Sequence, residues 1–490
     1  MGETQLTAKD INVLTDPNRR IFLKGVGAVS TSLVLATLGG CEHLLEEIEH
    51  RPTRRWIGSG SSAVNHDLTV YTEAVSAMKG LPSSDARNWA SIAAIHGTAA
   101  AGFIWCQHGT PHFFDWHRGY LLNFERICQK LTKEKHFGLP YWNWNQNPDV
   151  PSPFLDTSST LYAARSNTSM STEPSGAVTT AALDPIFGDS NFYTYSSQLE
   201  GTPHNTVHSY IGGGDLFGGG GSASDPLFWA HHCMVDYSWY KWNVELGYDN
   251  TNDSSWTSFV DGHYIDAEGN PASTSPFETT LMPLLSYQYE SSPIGSFAAN
   301  APLHKKELQV VEARVRKGAN IKLVISNRVH LVDRTAVRIG KPVSLRAPQR
   351  SEGISAVLGA DLKREHVFAS VEYARLPPTS DFAVRVFVNL PDANRNTPMS
   401  DPHYAGSFAF FGTSAPGEAS AGSAHHQPKF LVSLSAALER LQQSQMLRDS
   451  LSIQLVAIPF KGSFEREDTE IELTSVDIIT TPIIVKTVQP

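Results

Sequence analysis

Apolar positions recur at helical spacing through the first part of the chain and at strand spacing through the last. Leu68, Tyr71, Val75 and Met78 share one helical face, and Gly80-Leu81-Pro82 ends that run. A second helix is predicted from about Asp85, with Trp89, Ile92 and His96 on one side. Residues 121–131 continue a third, turning Phe124, Ile127 and Cys128 inward, until Gly138-Leu139-Pro140 breaks the pattern. Residues 145–200 are rich in Pro, Ser and Thr and read as long surface loops. Beyond about residue 302 the texture changes. Residues 321–325, 382–388 and 451–456 alternate or run β-branched between turn signals, with one predicted helix at 436–446. These patterns predict a mainly α unit with long loops, then an all-β sandwich of about seven or more strands.

A length of 490 residues suits two such domains. The Ser/Pro/Ala-rich run after Tyr287-Gln288-Tyr289 marks a linker at 291–305, with the second domain at 306–490. A formal charge of −10 and the lack of any Lys/Arg-rich run exclude a nucleic-acid binder. Four cysteines are too few for a disulfide framework, so each needs its own explanation. At the N-terminus, Asn18-Arg19-Arg20-Ile21-Phe22-Leu23-Lys24 resembles a twin-arginine export signal, and Leu38-Gly39-Gly40-Cys41 resembles a lipoprotein processing box. The expectation is a signal over 1–41, lipidation at Cys41, and a tether over 42–65. Twin-arginine transport carries folded proteins, which suits a cofactor loaded before export.

Candidate chemistry concentrates in residues 105–120, which hold His108, His112 and His117, Cys106 and five aromatic residues. Burying three imidazoles among aromatics is costly unless something satisfies their nitrogens, and a metal does so. His204 and His208 stand four apart, so on a helix both imidazoles project from one face and can meet one ion. His231 and His232 follow in Asp225-Pro226-Leu227-Phe228-Trp229-Ala230-His231-His232. Two histidine groups of matched size, with no Cys₄ pattern and no carboxylate cluster, suit copper first and zinc next.

The segment from His108 through Phe113-Phe114-Asp115-Trp116-His117-Arg118, with Leu121 and Glu125 following, resembles the first copper signature of tyrosinases, catechol oxidases and molluscan haemocyanins. Asp225-Pro226-Leu227-Phe228-Trp229, then His232 and Asp236, resembles their second signature. Residues 81–89 and 139–144 resemble plant polyphenol oxidase segments, and Tyr404-Ala405-Gly406-Ser407-Phe408 extends the resemblance into the tail. The resemblance implies a four-helix-bundle dicopper domain over 66–290. It implies His96, His108 and His117 on the first copper and His204, His208 and His232 on the second. His231 then falls to a supporting position, and His112 to a satisfied, partly buried histidine. Phe228 and Trp229 are expected to pack around the second copper. In fungal tyrosinases and molluscan haemocyanins a cysteine at the position of Cys106 forms a thioether with the ligand imidazole. The same link is expected to His108, the alternative being a buried free thiol. Cys128 and Cys233 read as core cysteines.

By the same resemblance the activity is a tyrosinase: dioxygen hydroxylates monophenols to o-diphenols and oxidises o-diphenols to o-quinones. The alternatives are a catechol oxidase confined to the second reaction, and a haemocyanin-like oxygen carrier. Glu200 and Asn205 match positions that fix a water for deprotonating the monophenol, though Glu200 also reads as a plain loop carboxylate and Asn205 as a helix cap. The glycine loop 212–221 suggests an open mouth unless Phe217 turns in. The C-terminal sandwich resembles domains that cover the copper cleft in latent enzymes. The implied partners are phenols and dioxygen, with membrane attachment only through Cys41.

Overall fold

Helix α1 (Ser62–Gly80) starts where the Ser61 hydroxyl accepts from the Val64 amide at 3.3 Å, and it buries Leu68, Tyr71, Val75 and Met78 as the periodicity predicts. Helix α2 (Trp89–His96) begins four residues later than Asp85, because Asn88 caps it by accepting from the Ala90 amide at 3.0 Å. Asp85 instead holds Arg87 at 2.7 Å. Helix α3 (Phe113–Thr132) takes in the second half of the histidine-rich stretch, including His117. The computed structural model describes residues 51–290, 323–347, 352–373, 375–413, 429–447, 450–460 and 469–483. The export signal, Cys41, the linker 291–305 and the loop 415–423 lie outside these residues.

Two expectations are corrected. Within 145–200, helices α4 (Thr180–Phe187) and α5 (Phe192–Leu199) form behind side-chain caps from Thr179 and Asn191. Phe192, Tyr195 and Leu199 are buried, so apolar residues at positions i, i+3 and i+7 outweigh the Pro/Ser/Thr composition. The expected tether, too, is packed from Arg51 onward. Thr53–Arg54 pairs in parallel with Gln288–Tyr289, and the Arg54 side chain is fully buried.

A short π-helical turn, Glu200–His204, leads into α6 (Asn205–Gly212). Helix α7 (Leu227–Tyr240) follows the Asp225-Pro226 pair. Asp225 accepts from the Leu227 amide at 2.8 Å and from both arms of Arg165 at 2.7 and 2.5 Å, which fixes the start of α7. Helices α3 and α7 are joined by a buried charge cluster. Asp236 accepts from Arg118 at 2.5 Å, Arg54 at 2.9 Å, Tyr287 at 2.6 Å and Tyr289 at 2.5 Å. Arg54 also donates to Glu125 at 2.9 Å. Burial alone would raise the Asp236 pKa, but Arg118 and Arg54 hold it below the usual carboxylate range. Among the described residues no helix is long and apolar enough to cross a membrane.

The C-terminal unit contains strands β1 (Asn327–Arg338), β2 (Val343–Arg346), β3 (Glu365–Tyr373), β4 (Phe382–Val388), β5 (Tyr404–Ala409), β6 (Lys429–Ser433), β7 (Ser452–Pro459) and β8 (Glu470–Pro482). They form two antiparallel four-stranded sheets, ordered β5-β4-β7-β2 and β6-β3-β8-β1. The predicted strand at 321–325 starts instead at Asn327, and the predicted helix at 436–446 spans Ser435–Gln443. Strand β4 is buried along its whole length. Its Phe382, Val384, Val386 and Val388 fill the sandwich core, while Ala383 belongs with Ala409 and Phe460 to the core of the helical unit. The sheet β5-β4-β7-β2 therefore lies against the helices.

Removing one member of a buried ion cluster strands its partners. Asp236→Ala is expected to lower stability by about 3–5 kcal/mol, measured by urea denaturation, because it leaves Arg54 and Arg118 facing an apolar hole.

Candidate metal centre

Four segments bring seven histidines together. His96 ends α2, His108 precedes α3, and His117 lies on α3. His204 closes the π-helical turn, His208 lies on α6, and His231 and His232 lie on α7. His96, His117, His204, His208, His231 and His232 are all buried. Donor atoms of His204, His208, His231 and His232 lie within 4.8 Å of one another, as do those of His96, His117 and His232. The Nε2 atoms of His96 and His108 approach to 3.2 Å, and so do those of His208 and His232.

The outer nitrogens are anchored. Nδ1 of His117 donates to the Phe113 carbonyl at 2.7 Å, that of His208 to the Phe217 carbonyl at 2.8 Å, and that of His96 to the Gly220 carbonyl at 3.4 Å. His204 Nδ1 meets Asn205 Oδ1 at 2.8 Å, and His108 Nδ1 meets Glu200 Oε1 at 3.2 Å. Each bond fixes a tautomer and turns Nε2 inward as a free lone pair, which is how protein ligands present imidazole to a metal. Nε2 of His117 and of His204 has no partner among the described residues. Left unmet, each such atom costs about 1–3 kcal/mol, and a metal ion removes that penalty. Burial holds His96 and His204 at a pKa of about 3, and burial with neighbouring imidazoles holds His108, His117, His208 and His232 well below the ordinary value. The rings are neutral throughout the physiological range, the form that coordinates. Neutral imidazoles with no carboxylate among the clustered donors fit copper.

Other expected residues fall as follows. His112 stays outside the group, stacking on Phe259 at 3.9 Å and meeting Asp115 at 3.1 Å. Cys106 is buried and in no disulfide, and its sulfur lies within 4.8 Å of donor nitrogens of His96 and His108. Cys128 and Cys233 are likewise buried and free. Phe228 packs on His96 at 4.8 Å and His232 at 4.2 Å, so it touches both halves of the centre. Trp229 does not line the centre as expected. It stacks on Phe124 at 3.6 Å between helices, because its place on α7 points it toward α3. The glycine loop is closed, with Phe217 buried at 4.5 Å from the His208 ring. Its glycines serve close approach: a Cβ on Gly220 would stand 2.4 Å from the Gly102 backbone, and one on Gly97, next to His96, 2.3 Å from the Gly102 carbonyl.

The centre is covered from the C-terminal unit. Phe411, just beyond β5, stacks on His208 at 4.1 Å and lies 5.2 Å from His108, 5.4 Å from His204 and 6.2 Å from His96. Three side chains near or on α6 secure that segment. Thr202 donates to the Ser407 carbonyl at 2.8 Å, Asn205 to the Ala409 carbonyl at 2.9 Å, and Ser209 to the Phe410 carbonyl. Asn205 does not cap α6; one end of its amide orients His204 and the other holds the cover.

Residues 86–185 and 153–245 match the family model described as the common central domain of tyrosinase. The chain is 25% identical over 471 residues to a tyrosinase of Hahella sp. (strain CCB-MM4), spanning 83% of this chain and 94% of that one. Over these residues and along most of its length it is similar to the tyrosinase and polyphenol oxidase family. It is 24% identical over 489 residues to the chloroplastic polyphenol oxidase A1 of Vicia faba, covering 84% and 75% of the two chains. Its fold is similar to that of a latent aurone synthase (polyphenol oxidase), with a TM-score of 0.59 at 20% identity over 89% and 90% of the chains. A latent apple tyrosinase matches with a TM-score of 0.55 at 20% identity over 88% and 97%. This likeness and the histidine clusters indicate a copper oxidoreductase, and the tyrosinase family implies a dicopper centre, phenolic substrates and dioxygen.

Reading the sequence missed Phe411 as the covering residue; it gave His231 a supporting position, and the structure brings His231 within 4.8 Å of the donors of His204, His208 and His232. Phe411 had a signal: strand alternation sends Phe408 and Phe410 into the sandwich core, leaving Ala409 and Phe411 on the opposite face. His231 had none, since neighbouring histidines on a helix do not share a face.

His117→Ala is expected to lower the copper bound per chain, measured by elemental analysis after dialysis, whereas His112→Ala leaves it unchanged. Copper loss in the His112 variant would show that the ligand set has been misassigned.

Proposed function

We propose that the chain is a dicopper polyphenol oxidase with tyrosinase activity, hydroxylating monophenols and oxidising o-diphenols to o-quinones. The first copper is assigned to His96, His108 and His117 and the second to His204, His208 and His232, with helices α2, α3, α6 and α7 grouped around them as a four-helix bundle. The observation that carries the reading is the convergence of buried imidazoles whose outer nitrogens are tied down, under an aromatic cover. When bound, the copper pair supplies dioxygen activation and the two-electron exchange with the phenol.

The chain's own residues do the rest. The Phe411 ring stacked on His208 occupies the position a flat phenol would take, so the cover mimics the substrate and excludes it. Phe228, Phe217 and Phe103 keep the surroundings apolar; Phe103 lies 5.0 Å from His108. Hydroxylation asks for a phenol deprotonated close to the metals, although its pKa is about 10. Glu200 stands beside His108 of the first site and Asn205 beside His204 of the second, which suits them to hold a water that takes the proton. A diphenolase-only reading is favoured by one observation. Glu200 is already engaged by the Gly109 amide at 2.7 Å, and Asn205 by Ala409. The Asn205 bond is lost with the cover, but the Gly109 bond is independent of it, so a chain that keeps the latter when uncovered has Glu200 already committed to the backbone and to His108. The short distance between Cys106 and His108 supports the thioether as part of this proposal. Residues 19–41 support export and lipid anchoring at Cys41.

Oxygen uptake by the full chain carrying Phe411→Ala separates the readings. A tyrosinase consumes oxygen with p-cresol and with catechol; a catechol oxidase responds to catechol alone. In the tyrosinase case, Glu200→Gln is expected to lower p-cresol turnover by about a hundredfold while changing catechol turnover far less. Equal losses on both substrates would remove Glu200 from the hydroxylation step.

A further inference from the structure

His231 is the one member of the histidine group without an assigned role. It is fully buried, and neither Nδ1 nor Nε2 has a hydrogen-bond partner among the described residues. Its ring stacks on His204 at 5.4 Å and meets His208 edge-on at 4.6 Å. A packing role in these surroundings is better filled by phenylalanine, which has no nitrogens to strand. A ring nitrogen of His231 also lies within 4.8 Å of donor atoms of His204, His208 and His232.

His232, the assigned third ligand of the second copper, is the least fixed ring of the set. Its Nδ1 has no partner among the described residues, whereas His204 and His208 are both anchored. It belongs equally to a group with His96 and His117, and its ring stacks on His117 at 4.3 Å, toward the first copper. The second site therefore has two firm imidazoles and two candidates for the third position, supplied by consecutive residues of α7.

Resting on the dicopper reading above, we infer that His231 is a fourth imidazole of the second copper site, able to take the ion with His204 and His208 when His232 turns toward the first site. The ion then passes between two three-imidazole sets without leaving the protein, which slows its loss. Ligation moves a lone pair of His231 onto the metal and withdraws that of His232; no proton or electron changes hands.

The test uses the full chain loaded with cupric sulfate, with metal per chain measured after dialysis and release followed on adding EDTA. The dicopper reading requires two copper ions per wild-type chain; another number overturns that reading and not this one. His231→Phe, a close match in shape, is expected to bind two ions and to release one of them about tenfold faster. His232→Ala is expected to keep more than one copper per chain, and adding His231→Phe to bring it down to one. Wild-type release from His231→Phe, or equal copper content in His232→Ala and the double variant, overturns the inference. Near-UV circular dichroism of each variant, matched to the wild type, excludes a general loss of packing.

Discussion

Neutral imidazoles held in a dry aromatic shell impose the constraint on which the helical unit depends. A buried imidazole presents one useful lone pair only if its other nitrogen is committed elsewhere. The chain meets that need locally: His117 uses a carbonyl one turn back on its own helix, and His208 uses the carbonyl of Phe217 across the glycine loop. His204 and His108 use side chains, Asn205 and Glu200. The glycines at 97 and 220 follow from the same demand, because backbones must touch for the Gly220 carbonyl to reach His96. The Arg54, Arg118 and Asp236 cluster holds α3 and α7 together some distance behind the rings, where charge is tolerable because it is paired.

The two units meet through α6, which carries metal-facing residues on one side and donors for the cover on another. Thr202, Asn205 and Ser209 are spaced three and four apart, so they form a stripe along the turn and helix. The carbonyls they reach belong to residues 407, 409 and 410 of the covering segment. This is a helix reading the backbone of a strand end, and it sets the register that delivers Phe411 over His208. Two side chains of the same sheet add to it, Arg385 donating to the Pro174 carbonyl and Tyr404 to the Ser175 carbonyl.

Periodicity made α1 legible, because it repeats an unbroken pattern against one buried surface, and β4 was legible as an apolar run buried on both faces. The same logic failed over 180–199, where composition suggested loops and a few aromatic residues decided otherwise. It failed again at 51–61, where a single arginine buried against Glu125 and Asp236 converts an apparent tether into part of the fold. The histidine cluster was legible only in pieces. Spacing links His204 to His208, but no local rule joins His96 to His117 or either to α7, since their meeting is a product of helix packing. The resemblance to known copper signatures bridged that gap. It had nothing to say about His231, whose neighbour takes the motif position, or about the cover, whose decisive side chain lies two residues beyond the end of β5, the last of three phenylalanines within residues 408–411.

Asn205 ties these layers into one system. Its carbonyl oxygen sets the tautomer of His204, and its amide nitrogen is spent on Ala409 of the cover. When the covering segment leaves, the Phe411 ring and the Ala409 carbonyl depart together, because two residues of one extended stretch cannot separate. Uncovering thus frees a ring-shaped space above His208 and an amide donor beside His204 in the same motion. The donor is not released without the space, so under the proposed function a water or substrate oxygen bound to Asn205 would have room for a phenol ring beside it. The contact that holds the cover is therefore made by the same side chain that orients His204.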